Sequence, residues 1–300
     1  MKAAVFTGGG ADGAVTVGRL SITQPDYDLA LGISTGSLIG PLALIKQYDR
    51  LKEAYESADT SDITEVSAFT KKGTLHIGKA LFRSLLSLVS SSNTIGKSNG
   101  LRNMINDMYT YSDFETMRAK GKSCNVGCYS LTSEELVFFN SIHESFDDFK
   151  EWMWASANVP VVMSILKKKR YDFEEEWVDG GTASVCPLVH AISMGAKEVD
   201  VYMHSPRSGS IRKKVIKNTF HLLLRTLKSS FKESSAKDID LGLAMAKVMG
   251  CVVRIHWMDR EYYDNSLVFG KDKMKLLFKA GQELAKDKRY TDIYDYSKSN

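Results

Sequence analysis

The chain opens on a short apolar run, Ala3-Ala4-Val5-Phe6, that breaks at once into Gly8-Gly9-Gly10-Ala11-Asp12-Gly13. A second apolar run, 27–31, breaks into Gly32-Ile33-Ser34-Thr35-Gly36. Apolar runs of this length bounded by glycine read as buried strands, so two strands are predicted, each closed by a glycine turn. A short helix through Val15, Val17 and Leu20 is expected between them. The helix after Ser34 carries Leu38, Ile39, Leu42, Ala43 and Ile45, apolar all round as in a buried central helix, and turns polar toward Lys52 and Glu56. Pro41 lies inside it and is expected to remove a hydrogen bond and bend it.

Polar composition over 57–100 predicts loops and short helices, among them 79–89, where Leu81, Phe82, Leu85, Leu86 and Val89 recur at helical spacing. Such a segment suits either a lid or a plain surface insertion. A helix at 101–109 follows. Alternation predicts strands at 123–131 and 135–140 around the turn Thr132-Ser133-Glu134. The stretch 146–156 reads as a helix whose Trp152, Met153 and Trp154 belong to the core, stopped by Ala155-Ser156-Ala157-Asn158-Val159-Pro160. A hairpin at 165–170 and 174–178 then leads into Asp179-Gly180-Gly181, a helix at 187–194 and a strand at 198–203. The remainder reads as mainly helical with one strand at 252–257. Strands alternating with helices predict an α/β layered domain with a largely parallel sheet. The expected organisation is a core over 1–205 with 206–300 as a mainly helical part of the same domain.

Composition changes this picture little. Apolar residues at 43% and charged residues at 25% are ordinary for a globular chain, and a net charge of +4 is too mild to point to nucleic acid. Cys124, Cys128, Cys186 and Cys251 show no metal spacing. On one strand, Cys124 and Cys128 would stand about 13 Å apart, too far for a disulfide. Buried free thiols and a reducing, cytoplasmic setting are expected. The first strand starts too early for a signal peptide, and no run of 18 apolar residues is present to span a membrane. No group of His, Cys and Asp has ligand spacing, so no metal is expected.

The chemistry sits in the glycine turns. Gly-x-Ser-x-Gly between a strand and a helix is the pattern of a nucleophile elbow; it would hold Ser34 at the carboxyl end of the sheet, at a helix N-terminus that favours negative charge. Gly8-x-Gly10-x-x-Gly13 also fits a dinucleotide fingerprint. That motif requires an acid at the end of the next strand, where Gly32 and Ser34 stand instead; Asp26 and Asp28 come too early. The glycines Gly8, Gly9 and Gly10 are better used as a row of amides around a reacting carbonyl, an oxyanion hole, and no cofactor is expected. Ser34 needs a base. Of the six histidines, His190, His204, His221 and His256 follow Asp179, as a triad order would allow, but none lies in a glycine-flanked loop; His76 and His143 precede it. Asp179 ends an apolar pair, Trp177-Val178, and is followed by two glycines, which exposes it in the crevice that ligands use in open α/β sheets.

These motifs, in this order, resemble the patatin-like phospholipases, over roughly residues 3–205. The resemblance rests on the glycine loop 8–13, on Gly32-Ile33-Ser34-Thr35-Gly36, on Ala155 to Pro160 and on Asp179-Gly180-Gly181. It implies a three-layer α/β/α fold and a serine lipid acyl hydrolase of phospholipase A or lysophospholipase type. Ser34 would be the nucleophile, Asp179 its base, and Gly8, Gly9 and Gly10 the oxyanion hole, with Gly13, Gly32, Gly36, Gly180 and Gly181 as the remaining motif glycines. Asp12 departs from the family, which usually carries Arg there; a carboxylate pointing inward would weaken oxyanion stabilisation. The alternatives are an acyltransferase using the same serine with a histidine partner, and a lipid-binding effector with a disabled site. The partners expected are a phospholipid or other acyl ester, with no nucleic acid. A membrane contact is expected over 207–232, where Arg207, Arg212, Lys213, Lys214, Lys217, Arg225, Lys228 and Lys232 accompany an apolar stripe with no acid among them; a helix packed on the core is the competing reading.

Overall fold

A computed structural model describes residues 1–63, 97–207, 219–263 and 265–298. The strands are β1 (Lys2–Phe6), β2 (Leu29–Ile33), β3 (Ser123–Ser130), β4 (Glu135–Asn140), β5 (Leu166–Arg170), β6 (Phe173–Asp179), β7 (Glu198–Pro206), β8 (Val252–Met258) and β9 (Thr291–Asp295). They form one sheet in the order β5-β6-β3-β2-β1-β7-β8-β9, with β4 also paired to β3. The central run β3-β2-β1-β7-β8 is parallel, and the strands outside it are antiparallel.

Side chains alternate across each strand, and the apolar ones divide accordingly. Ala4, Phe6 and Ala30 face a layer built on α1 (Gly13–Thr23), α2 (Thr35–Leu44), α3 (Tyr48–Ser57), the short α4 (Thr60–Ile63), α5 (Asn99–Met108), α6 (Tyr111–Ala119) and α7 (Phe146–Ser156). Ala3, Val5, Leu29 and Leu31 face the other way, onto α8 (Leu188–Ser193) and α9 (Thr219–Met249). A further helix, α10 (Lys271–Lys286), packs on α1 in the first layer. The result is the three-layer α/β/α arrangement expected. Trp152, Met153 and Trp154 are core residues, and all four cysteines are buried and free. Among the described residues, no helix is long and apolar enough to cross a membrane.

Two expectations need correction. The stretch after Ser34 is two helices rather than one bent helix. The break falls at Lys46 (φ 60°), not at Pro41, which sits within α2. Lys46 N–H donates to the Ala43 carbonyl and Gln47 N–H to the Leu42 carbonyl, the paired bonds of a left-handed helix stop, here without the usual glycine. The carboxyl-terminal third also holds a second strand, β9, which covers β8 antiparallel. The helix expected at 79–89, and most of the segment read as a lid or insertion, lie outside the described residues.

The arrangement that matters for the site is on β3. One edge carries β4 over Asn125 to Ser130. The opposite edge is shared: β2 runs parallel up to the pair Ile33–Gly127, and β6 arrives antiparallel and ends at the pair Asp179–Cys128. The carboxyl ends of β2 and β6 thus meet head to head at consecutive positions of one strand.

Candidate active site

Ser34 follows β2 and precedes the first residue of α2, with φ 55° and ψ −128°. For a residue with a side chain this is strained backbone, costing about 1–3 kcal/mol. The structure holds it from both sides. Its N–H donates to Ser156 Oγ at 3.1 Å, and its carbonyl accepts from the Ser37 amide at 2.9 Å and the Ser37 hydroxyl at 2.6 Å. The turn is also too tight for side chains at its flanks. A Cβ on Gly36 would stand 2.1 Å from the Phe6 carbonyl oxygen, and one on Gly32 would stand 2.4 Å from that of Gly36. This is the elbow read from the sequence.

Asp179 ends β6 and is almost wholly buried. Its Oδ1 accepts the Gly181 amide at 2.8 Å, and the Ser34 hydroxyl lies near enough to the carboxylate to favour its ionised form. Burial pushes its pKa up to about 7, against the opposing pull of the Ser34 hydroxyl and the Gly181 amide. A carboxylate so poised is ionised in a large fraction of molecules at neutral pH and still basic enough to take a proton. Gly180 lies so close under β3 that a Cβ there would stand 2.4 Å from the Gly127 carbonyl. The end of α7 and the segment after it bind both partners: Ser156 takes the Ser34 amide and passes its own hydroxyl to the Gly127 carbonyl at 2.7 Å, while the Asn158 carbonyl takes the Asp179 amide at 2.9 Å.

The glycine loop lies beside them, since β1 is the neighbour of β2. The nearest heavy atom to a Cβ built on Gly8 would be Ser34 Cβ, 3.2 Å away. Gly10 has φ 56°, and Ala11 N–H is held by the Ser266 carbonyl at 2.8 Å. Among the described residues, the amides of Gly8, Gly9 and Gly10 donate to no loop or turn acceptor. Gly13 starts α1, packed on Thr35 and Tyr55. Asp12 is buried at Oδ1, which has no hydrogen-bond partner among the described residues. Burial pushes its carboxyl up to about 6, against the pull of Lys273 and then Lys228; Lys273 is itself pushed down to about 8 by burial, against the pull of Asp12. Asp12 therefore pairs electrostatically with α9 and α10.

An apolar pocket, part of it open to solvent, adjoins Ser34 and Gly10. Its walls are α3 and α5 (Ala54, Ala58, Leu101 and Met104) together with Met163 and Phe269.

Residues 4–192 match the patatin-like phospholipase family. The chain belongs to that family. Patatin-like phospholipases act on lipid substrates, in general as hydrolases of lipid esters. A search of curated proteins finds no match. Among solved structures, this patatin-like chain is similar to VipD from Legionella pneumophila at 11% identity and a TM-score of 0.40, over 98% of this chain and 68% of that one; so loose a likeness carries no argument.

The motifs that mark this patatin-like chain in sequence are thus gathered in space, with Asp179 beside Ser34 and Gly8 and Gly10 alongside. The described histidines have other partners. His190 stacks on Phe138, and His256 lies 3.7 Å from Asp200. His204 contacts Thr7, Gly8 and Thr16. His76 and the side chain of His221 lie outside the described residues. Much of the basic segment 207–232 is also outside them. Of its described cations, Arg207 pairs with Asp292 and Lys228 with Glu261, acids supplied from other elements. Sequence reasoning missed Ser156 and Asn158 as holders of the site; the small-residue motif 155–160 was the signal, read as a helix stop and as one motif of the family resemblance, with no role for either residue. His204 was weighed only as a possible base, and its local sequence carries no sign of its contacts with Thr7, Gly8 and Thr16.

Proposed function

We propose that the protein is a serine lipid acyl hydrolase that cleaves carboxylic esters of phospholipids or lysophospholipids through Ser34 and Asp179. The observation that carries this reading is the placement of a strained, turn-held serine beside a buried carboxylate with its pKa near 7, in the lining of an apolar pocket. One fatty acyl chain would lie in the pocket, each buried methylene contributing about 0.8 kcal/mol, with its ester carbonyl at Ser34.

Ser34 Oγ attacks the carbonyl carbon as its proton passes to Asp179. The amides of Gly8, Gly9 and Gly10 stabilise the tetrahedral oxyanion. The C–O bond to the alcohol breaks, and the leaving oxygen takes the proton back from Asp179. Water then attacks the acyl-serine, giving its proton to Asp179, and the fatty acid departs as the Ser34 hydroxyl is restored. No histidine enters this scheme, which separates it from an acyltransferase with a histidine partner.

The test is labelling by a fluorophosphonate probe together with mass spectrometry of a phospholipid panel. Wild-type protein is expected to be labelled at Ser34 and to release fatty acid; Ser34→Ala is expected to do neither while keeping its circular dichroism spectrum. Fatty acid release by Ser34→Ala at the wild-type rate would overturn the assignment.

A further inference from the structure

His204 stands near the end of β7, on the opposite side of the glycine loop from Ser34. The strand order β2-β1-β7 makes this so: the loop leaving β1 passes between the residue after β2 and the end of β7. Gly8 faces Ser34, as described above. Gly9 faces the imidazole, and a Cβ there would stand 2.4 Å from His204 Cβ.

The hydrogen-bond partners decide which ring nitrogen carries the proton. Nδ1 is 3.3 Å from the Gly8 carbonyl oxygen, which can only accept. It is also 3.2 Å from Thr7 Oγ1, whose single hydroxyl hydrogen is given to the Tyr202 carbonyl at 2.9 Å. Both neighbours require a donor, so the hydrogen is on Nδ1. Nε2 then accepts from Thr16 Oγ1 of α1 at 2.9 Å. Burial pushes the imidazole down to about 4, so it is neutral at pH 7.

We infer that His204 is a positioning residue for the oxyanion hole, holding the Gly8 carbonyl on its Nδ1–H and so turning the Gly9 amide toward Ser34. The inference rests on the acyl-hydrolase reading above. Its physical basis is the planarity of the peptide unit: the Gly8 carbonyl and the Gly9 N–H belong to one trans plane and point in opposite directions. With the carbonyl drawn to the imidazole side, the N–H is directed to the side where Ser34 stands. Three glycines in a row have little conformational preference of their own, and a donor fixed by α1 at its far end supplies the missing constraint. A side chain at position 9 would collide with the ring that provides it, which gives Gly9 a role beyond access for substrate.

Substitutions separate this role from packing. Asn at position 204 places an amide N–H near the position of Nδ1, whereas Gln extends past it toward Thr16, and Leu donates nothing. His204→Gln and His204→Leu are expected to lose about 10- to 100-fold in kcat on a p-nitrophenyl ester, the scale of a misaligned oxyanion donor, with KM within about 2-fold of wild type. His204→Asn is expected to recover most of that loss, and Thr16→Val, which frees the far end of the ring but leaves the Gly8 contact in place, to lose less than His204→Leu. If His204→Leu does not fold, the comparison of Asn with Gln decides. Asn and Gln variants of equal kcat would overturn the inference, as would a loss confined to KM. Fluorophosphonate labelling separates the two failures: a labelled wild type with indistinguishable variants overturns the role of His204 alone, whereas an unlabelled wild type overturns the Ser34 assignment and His204 with it.

Discussion

Ser156 Oγ lies 3.1 Å from the amide nitrogen of Ser34, and it is this bond, with the Ser37 pair on the carbonyl, that keeps the elbow in its strained form. Ser156→Ala leaves the Ser34 amide buried without a partner, and the Gly127 carbonyl loses its donor as well. An unsatisfied buried group costs about 1–3 kcal/mol. Urea denaturation is expected to show a loss in that range, accompanied by slower fluorophosphonate labelling of Ser34. Wild-type labelling together with wild-type stability would show that Ser156 holds nothing.

The raised pKa of Asp179 separates activity from stability. A base must be ionised to act, so ester hydrolysis is expected to fall as pH drops through about 7. The sign for stability is the reverse. The folded carboxyl has a higher pKa than the unfolded one, so its contribution is full below the unfolded value near 3.8 and is lost as pH rises through about 7. Asp179→Asn removes the ionisation. It is expected to lower kcat by about 10²–10⁴-fold while raising the melting temperature above that of wild type at pH 8 and not at pH 4. Melting curves of the two proteins that stay parallel across this range would contradict the burial of the charge.

The pocket beside Ser34 predicts a dependence on chain length. Ala58 is buried at its wall, and Ala58→Trp would fill the space that an acyl chain needs. Hydrolysis of p-nitrophenyl palmitate is expected to drop at least about 10-fold more than hydrolysis of p-nitrophenyl acetate, since several methylenes at about 0.8 kcal/mol each are left unburied. Equal losses on the two esters would place the chain elsewhere.

Two glycines give a contrast in tolerance. Gly36→Ala drives a methyl to 2.1 Å from the Phe6 carbonyl, backbone against backbone in the centre of the sheet, whereas a Cβ at Gly270 meets nothing within 4 Å. Overpacking in a core costs typically 1–3 kcal/mol and more where backbone must move. Gly36→Ala is expected to reduce soluble yield and cooperative unfolding sharply, and Gly270→Ala to leave both near wild type. A cooperative Gly36→Ala melt at the wild-type temperature would mean that the elbow relaxes freely.

The parts of the site legible in the sequence are those where backbone geometry demands glycine. Gly32 and Gly36 flank the elbow because no Cβ fits, and Gly180 follows Asp179 for the same reason; such constraints leave a residue-level trace. The helix break at Lys46 left none, because its left-handed residue is not glycine. Strand β9 was hidden by its exposure: Thr291, Asp292, Ile293, Tyr294 and Asp295 form an edge strand with only partial burial, too polar to stand out as an apolar run. The contacts of Ser156, Asn158 and His204 join elements far apart in sequence, and no local pattern encodes them.

The head-to-head ends of β2 and β6 on β3 have a bearing on biosynthesis. The serine and its proposed base are aligned through a third strand, to which β2 and β6 are each paired. A nascent chain that ends at Ser130 holds Ser34 but lacks both Ser156, which binds the Ser34 amide, and Asp179, 49 positions further on. A protein able to cut lipid esters would thus be inert until β6 has joined β3 and brought Asp179 beside Ser34.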